Sequence, residues 1–486
     1  MKTKRLSKFD IVYIVESLAF LVLCFFFVPK IDDIIFHYNE FFQFNDLKSF
    51  FHCVMYYGNG RILGNALCFF FAKIPKVFYF VEFVLVQLFC FSTEKLVGIK
   101  HSKIYFLTIF LFQPIFNFID VASWLCGCIN YFNPILFFVF VLLVLKGYSK
   151  EKSKAMQVFS CIAIVVLGVS EQLFMQHNTA VNLLISLMVF AFCIYKKKNL
   201  LPSVLLIISN IAGFGILFGY KYYIDIEQTW ADPNYNSLIF SLDGVSAMIY
   251  KLEQHVGTFV FFFFSCVVVY TILVLIIFHM DRKDKSIRFK KLNVFLLLLY
   301  YPATVYDLWI FFTNNQKSVK YGILLLCLFA LNFIGLSYSF IKAVFLKLPK
   351  PLKLKTAMIL LFGVCSIVPL FLVNNAGVFR GNFFFYICVS ICVLFIADFA
   401  EKEYGFNFKK LLSAFSICAC VVCIAYIPAF YESRCAYNFK EENYKTEYIL
   451  PSCNKIFGDN DSFWKYAEGN IDHEFIPYKE FKEMQE

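Results

Sequence analysis

The sequence predicts an all-α polytopic membrane protein with about thirteen transmembrane helices. Of its 486 residues, 60% are hydrophobic and only 16% are charged. A soluble domain is typically about 45–50% apolar and about 25% charged. A soluble fold of this composition could not cover its surface with polar groups, so lipid is the expected solvent for most of the chain. The same composition excludes a disordered chain, a coiled coil and a small disulfide-bonded domain.

Apolar runs of suitable length predict where the chain crosses the bilayer, since each crossing needs about 20 mostly apolar residues. The predicted spans are 11–29, 77–94, 103–119, 134–147, 157–175, 179–195, 200–219, 257–279, 291–313, 320–345, 356–373, 382–398 and 412–430. The fourth run is short, and we expect it to take length from its flanks. The run 62–72 is too short to span, which predicts an interfacial or re-entrant helix in the first outer loop.

The basic residues predict the orientation, because cytoplasmic loops of membrane proteins are enriched in Lys and Arg. With a cytoplasmic N-terminus, 28 of the 45 Lys and Arg residues fall at the inner face. The inner segments are 1–10, 95–102, 147–156, 196–199, 280–290, 346–355 and 399–411. These short clusters form no contiguous basic face, so the formal charge of +11 does not indicate a nucleic-acid partner.

This topology predicts a multi-pass protein of the cytoplasmic (inner) membrane with a transmembrane domain over 1–430. Its large outer loops are 30–76 and 220–256, and the polar tail 431–486 is extracytoplasmic. Most of the 18 Cys residues lie in apolar runs, where a thiol behaves as a small hydrophobe. Cys435 and Cys453 of the tail could pair in an oxidising compartment.

Two adjacent carboxylates, Asp32 and Asp33, follow the first span directly. A carboxylate at this interface suits a general base acting on a hydroxyl. It also suits a divalent cation such as Mg²⁺ or Mn²⁺ bound through oxygen, although the sequence does not require a metal. If 33–43 is helical, His37 and Glu40 share a face with Asp33 and complete a metal site. The competing interpretation is a solvated helical turn whose acids favour the helix dipole.

Two arginines of the outer face suit a phosphate group. Arg61 follows the glycines of Tyr57-Gly58-Asn59-Gly60, and backbone N–H groups before a helix favour an anion. Arg380 is the only basic residue of its outer loop. A planar guanidinium matches phosphate geometry. The alternative for Arg61 is an interfacial turn with a snorkelling side chain, and the alternative for Arg380 is a structural ion pair.

A third outer element, 120–134, mixes aromatic and amide side chains. Trp124, Asn130 and Tyr131 offer aromatic faces for sugar C–H groups and an amide for hydroxyls. Trp and Tyr at a membrane edge are also typical belt residues, and that interpretation stays open. Glu171 ends the fifth predicted span on the same side and joins the candidate substrate contacts.

These motifs, in this order and on one side, resemble the integral-membrane GT-C glycosyltransferases. More narrowly, Asp32-Asp33, Gly60-Arg61, Trp124 with Gly127 and Asn130-Tyr131, Glu171 and Arg380 resemble an uncharacterised bacterial multi-spanning family. That family is akin to the O-antigen glucosyltransferases of serotype conversion, and the resemblance covers most of residues 1–400 but not the tail.

The resemblance implies transfer of a sugar from a polyprenyl-phosphate carrier to a glycan, lipid or protein acceptor outside the cytoplasmic membrane. It implies that Asp32 or Asp33 serves the acceptor or binds a metal. It also implies that Arg61 and Arg380 bind the phosphate of the donor. The family often has a further Lys or Arg that binds the phosphate, and no residue of loop 220–256 can be matched to it. Alternatives are an envelope polysaccharide polymerase, a lipid or small-molecule transporter, and a structural subunit without activity. A polymerase predicts Arg-rich outer loops, and a transporter predicts polar residues at mid-membrane depth and internal symmetry.

Overall fold

The computed structural model describes residues 7–27, 33, 36, 46–56, 61–113, 118–148, 151, 153–219, 266–283, 338, 340–341, 344–367, 379–438 and 443–444. Over these residues the chain is a helical bundle. Its longer helices are α1 (Lys8–Cys24), α2 (Leu47–Tyr56), α3 (Ile62–Ala72), α4 (Pro75–Val97), α5 (Ser102–Leu111), α6 (Leu125–Tyr148), α7 (Lys154–Gln172), α8 (Gln176–Tyr195), α9 (Leu201–Phe218), α10 (Val267–Lys283), α11 (Lys350–Ile367), α12 (Phe383–Tyr404) and α13 (Phe408–Ala436).

Short elements complete the described chain. A π-helix covers Phe118–Ala122, a second one covers Cys128–Phe132 within α6, and 3₁₀ turns cover Phe345–Lys347 and Phe379–Asn382. The two-residue strands β1 (Tyr437–Asn438) and β2 (Asn443–Tyr444) pair antiparallel, with Tyr437 opposite Tyr444. The rest of the predicted tail, including Cys453, lies outside the described residues.

Six helices of the described part are long and apolar enough to cross a membrane. They are Pro75–Val97, Leu125–Tyr148, Lys154–Gln172, Leu201–Phe218, Phe383–Tyr404 and Phe408–Pro428. A helical membrane protein is therefore confirmed, and a lipid bilayer is its environment. The count of thirteen spans stays a prediction, because 291–313 and almost all of 320–345 lie outside the described residues.

The structure changes two predicted spans. The span predicted over 103–119 is not one regular helix, because α5 ends at Leu111 and a π-helix covers Phe118–Ala122. The short span predicted over 134–147 does take length from its flank, since α6 begins at Leu125. Part of the predicted outer element 120–134 therefore belongs to a 24-residue helix.

Local sequence explains where several helices begin and end. The Ser7 hydroxyl accepts the Asp10 backbone N–H at 3.2 Å, and the Asp10 carboxylate accepts the Ser7 N–H at 3.2 Å, which forms a capping box. Pro75 occupies the first turn of α4, where a missing N–H costs nothing. Gly98 ends α4 with φ of +79°, a left-handed conformation that glycine adopts without strain.

Helix α1 shows how the bundle divides lipid-facing from buried side chains. Its exposed apolar residues repeat along one face: Ile11, Val15, Leu18 and Val22. On the opposite face Glu16 is fully buried, and its carboxylate accepts hydrogen bonds from the hydroxyls of Thr108 at 2.8 Å and Ser416 at 2.6 Å. These bonds join α1 to α5 and α13 within the membrane region.

One end of the bundle collects the segments that the charge pattern assigns to the inner face. The contacts that join them are Lys103 Nζ to Asp10 Oδ1 at 3.2 Å, Lys146 Nζ to the Lys95 carbonyl at 2.7 Å, Asn199 Nδ2 to the Tyr148 hydroxyl at 3.0 Å, and His279 Nε2 with the Tyr404 carbonyl at 2.9 Å. The Ser7 hydroxyl and the Lys103 ammonium lower the pKa of Asp10 to about 2. We call this the inner end; which end faces the cytoplasm stays a prediction from charge.

The other end, which we call the outer end, joins the remaining segments. The Leu63 and Gly64 N–H groups of α3 both donate to the Leu173 carbonyl at 3.2 Å. The Phe118 and Tyr426 rings stack with centroids 5.4 Å apart. The turn Phe379–Asn382 contacts the π-helix Phe118–Ala122. The predicted site elements of the first, second and last outer loops therefore share one end of the bundle.

Candidate functional site

Asp33 connects the first outer loop to the start of α6. Its side chain is 1% exposed, and its Oδ1 accepts the backbone N–H of Cys126 at 3.1 Å. A buried carboxylate is costly unless it is hydrogen-bonded, and the first turn of a helix supplies N–H donors that no intrahelical carbonyl uses. Cys126 lies in that first turn of α6. The same bond fixes the orientation of the Asp33 carboxylate against the start of the helix.

Arg61 immediately precedes α3, and its side chain is half-buried. The sequence predicts an anion at the backbone N–H groups of this helix start. Two of those groups, on Leu63 and Gly64, donate instead to the Leu173 carbonyl. These two N–H groups are therefore already used within the protein, and phosphate binding by Arg61 stays a prediction. Gly58 and Gly60 lie outside the described residues.

The start of α6 carries the aromatic and amide residues. Trp124 precedes the helix in an extended conformation and is 7% exposed. This burial inside the protein disfavours the belt interpretation for Trp124, because belt residues face the lipid interface. Tyr131 is half-buried. Asn130 and Tyr131 both fall in the π-helix Cys128–Phe132, an arrangement that occurs frequently at functional sites.

Asn130 packs directly on α3. Its Nδ2 donates to the Cys126 carbonyl at 2.9 Å and lies 3.5 Å from Cys68 Sγ. Its Oδ1 has no hydrogen-bond donor among the described residues. A Cβ added to Gly64 would lie 2.3 Å from this oxygen, so only glycine lets α3 approach so closely.

Glu171 ends α7 two residues before the Leu173 carbonyl that receives α3. Its side chain is 1% exposed, and its Oε1 accepts Gln172 Nε2 at 3.4 Å. Glu171 is therefore near the helix that begins after Arg61, but it is enclosed between helices rather than open to the outer surface.

Arg380 lies in the turn Phe379–Asn382, which contacts the π-helix Phe118–Ala122 close to the start of α6. The backbone thus brings it to the same end as Asp33 and Arg61, and its side chain lies outside the described residues. Asp32, His37 and Glu40 also lie outside them, as does loop 220–256. No group of three His, Cys, Asp or Glu side chains in the described part of the chain could hold a metal ion.

A shallow depression lies at the inner end, away from these residues. Its lining includes Phe9, His101, Asp398 and Lys409. Burial and the neighbouring Lys100 lower the pKa of His101, which favours a neutral ring. The mixture of opposite charges is typical of a contact between solvated inner loops and indicates no particular ligand.

Several buried polar residues escaped the sequence reasoning. Asn178, Asn182 and Asn210 are each at most 3% exposed and lie on two neighbouring helices. Gln113 and Asn133 flank the π-helical region and are 4% exposed. A signal was present, because an amide inside an apolar run has to find a partner within the bundle. The sequence alone could not show which partners they find.

Comparison with known protein families, with curated proteins and with solved structures gives no match for this chain.

Proposed function

We propose that the protein is a GT-C-like membrane glycosyltransferase that transfers a sugar from a polyprenyl-phosphate donor to a glycan, lipid or protein acceptor at the outer face of the cytoplasmic membrane. The observation that carries the proposal is the buried Asp33 carboxylate, docked on the N-terminus of α6 soon after the first span. Arg61 at the start of α3 and Arg380 in the turn against Phe118–Ala122 lie at the same end.

The proposed chemistry needs few groups. An acceptor hydroxyl attacks the anomeric carbon, the bond from that carbon to the phosphate oxygen breaks, and polyprenyl phosphate leaves. The hydroxyl proton passes to a carboxylate, Asp32 or Asp33, which acts as general base. Arg61 and Arg380 offset the charge that develops on the leaving phosphate. No redox partner is involved, and the atoms balance without a further reactant.

The remaining residues in the proposal contact the substrates. Trp124 and Tyr131 supply aromatic faces, and the half-buried Asn130 beside Tyr131 supplies an amide. Glu171 is enclosed between helices and is left out of this set. A divalent ion such as Mg²⁺ or Mn²⁺ would be held by the aspartates with His37 and Glu40. No step of the proposed transfer depends on it.

The test uses the full chain in proteoliposomes with a panel of polyprenyl-phosphate hexoses, and it measures release of polyprenyl phosphate. Asn can still accept the Cys126 N–H, so Asp33→Asn should fold. Loss of a general base lowers turnover by about 10²–10⁴-fold. Asp46→Asn is the matched control, because Asp46 belongs to the same loop but is exposed and caps α2 through Ser49. We expect this control to keep full turnover.

Further variants separate binding from chemistry. Arg61→Ala should raise the KM for the donor more than it lowers kcat, since it removes phosphate contact. Full turnover in the Asp32→Asn/Asp33→Asn double variant would refute the assignment. So would a wild-type protein that releases polyprenyl phosphate from no donor of the panel.

A transporter is the second candidate, and one observation favours it. Glu16 lies in the middle of α1 and is fully buried between three helices, a position typical of ion or substrate pathways. A transporter would move the lipid-linked sugar or a small solute across the proteoliposome bilayer without forming a product. Measuring translocation and polyprenyl phosphate release in the same vesicles distinguishes the two functions.

A further inference from the structure

A closed polar cluster lies where α7 ends and α8 begins, against α9. Its four central side chains are Glu171, Gln172, Asn178 and Asn210, each between 0% and 3% exposed. Helices α7 and α9 pack against each other, and α8 packs against both. We call these four residues the Glu171 cluster. Polar groups buried so completely in a membrane bundle are costly and are commonly functional.

Specific contacts connect the three helices. Asn210 Nδ2 donates to the Asn182 carbonyl of α8 at 3.1 Å, and the Asn210 amide lies close enough to the Glu171 carboxylate to stabilise its charged form. Asn178 precedes Asn182 by four residues and so lies one turn nearer the outer end on the same face of α8. Gln172 Nε2 donates to Glu171 Oε1 at 3.4 Å.

The cluster contains more acceptors than donors. Four buried oxygens have no donor among the described residues: Glu171 Oε2, Gln172 Oε1, Asn178 Oδ1 and Asn210 Oδ1. Rotating the amides of Gln172 and Asn210 would not correct this, because their N–H groups already face the Glu171 carboxylate and the Asn182 carbonyl. None of the salt bridges described for the chain involves Glu171. Among the described residues, the cluster therefore has no salt-bridge partner for Glu171 and leaves these four oxygens without donors.

We propose that the Glu171 cluster binds a partly dehydrated Na⁺ ion. Hard cations take carboxylate and amide oxygens as ligands, and membrane proteins hold Na⁺ with such oxygens where helices end. One carboxylate balances one positive charge. A single bound proton would provide a donor for only one of the four oxygens. A hexose has no open face through which to enter, since the four side chains are at most 3% exposed.

Thermal unfolding of the full chain in detergent tests the proposal. We expect NaCl to raise Tm saturably, whereas choline chloride at the same ionic strength does not. Glu171→Gln removes the charge and should abolish the Na⁺-dependent shift. Glu16→Gln is the matched control, because both Glu16 oxygens already accept hydroxyl donors from Thr108 and Ser416. This control should keep the shift.

Asn210→Ala and Asn178→Ala each remove one proposed ligand and keep the test decisive if Glu171→Gln does not fold. Each should raise the Na⁺ concentration needed for half of the shift. Equal responses to Na⁺ and choline in the wild type would overturn the proposal, as would an unchanged Na⁺ response in both asparagine variants. A Tm that follows pH but not Na⁺ would identify a proton as the occupant and also overturn it. The readout needs no sugar transfer, so it can fail or succeed independently of the glycosyltransferase proposal.

Discussion

Replacing Gly213 with Ala tests the helix contact that forms the Glu171 cluster. Gly213 lies in α9 where this helix meets the end of α7. An added Cβ would lie 2.6 Å from Gln172 Cβ, 2.7 Å from Gln172 Cγ and 3.0 Å from the Val169 carbonyl oxygen. These are the base of a side chain and a backbone atom, so neither can move aside without shifting a helix.

The expected cost follows from overpacking. Forcing an extra methyl group into a packed interface typically costs about 1–3 kcal/mol. The same substitution gains up to about 1 kcal/mol of helix propensity, which partly offsets that cost. Gly215→Ala measures the propensity gain alone, because it lies two residues away in the same helix and a Cβ there meets nothing within 4 Å.

Thermal or denaturant unfolding of both variants in one detergent gives the comparison. We expect Gly213→Ala to be less stable than Gly215→Ala by about 1–3 kcal/mol. We also expect Gly213→Ala to weaken the Na⁺-dependent shift, because displacing α9 from α7 moves Asn210 relative to Glu171. If the two variants are equally stable, the packing of α7 on α9 described here is wrong.

Three further perturbations follow from single contacts. Gly64→Ala should destabilise the protein by about 1–3 kcal/mol in the wild type, because the added Cβ meets the Asn130 side-chain oxygen. In an Asn130→Ala background the cost should be much smaller. A double-mutant cycle on unfolding free energies measures the difference. Ser416→Ala removes one of the two hydroxyl donors to Glu16 and should cost about 0.6–1.7 kcal/mol, the range of hydrogen bonds between membrane helices, by the same unfolding measurement. The pKa of Asp10 is about 2 in the folded protein and 3.8 in a free chain. Between about pH 2 and pH 4 the unfolded state therefore binds more protons than the folded state. The stabilisation by Asp10 should be present above about pH 4 and lost as the pH falls towards 2, and Asp10→Asn should flatten Tm over that window.

Apolar run length predicted much of the fold. The short helix expected over 62–72 is confirmed as α3, Ile62–Ala72, while its interfacial or re-entrant position stays a prediction. The segment 120–132 was harder, since Trp124, Gly127 and Asn130 have loop-like composition. Some of its polar groups form hydrogen bonds within the helix. For example, Asn130 Nδ2 donates to the Cys126 carbonyl, four residues earlier. Composition carries no information about such a bond.

The candidate site was only partly predictable for a related reason. The sequence identified Asp33 as polar and close to a span, but not that the start of α6 would bury it. Glu171 was predicted as a substrate contact at the outer face, whereas its partner Asn210 lies 39 residues further along the chain and encloses it between helices. Long-range pairing of amides depends on how helices cross, and a single sequence does not specify that crossing.

Three of the buried carboxylates, Glu16, Asp33 and Glu171, differ in what satisfies them, and this difference separates their proposed roles. Both oxygens of Glu16 accept protein hydroxyls, so this group already has the donors that burial in a membrane requires. Asp33 accepts a backbone N–H at a helix start, which fixes its direction at the outer end. Of these three, Glu171 is the one that has an oxygen without a donor among the described residues, and other acceptors lie near it. Because an unsatisfied buried charge is costly, the proposed Na⁺ would supply the partner that Glu171 lacks among the described residues, and the measurements of Na⁺-dependent stability test this directly.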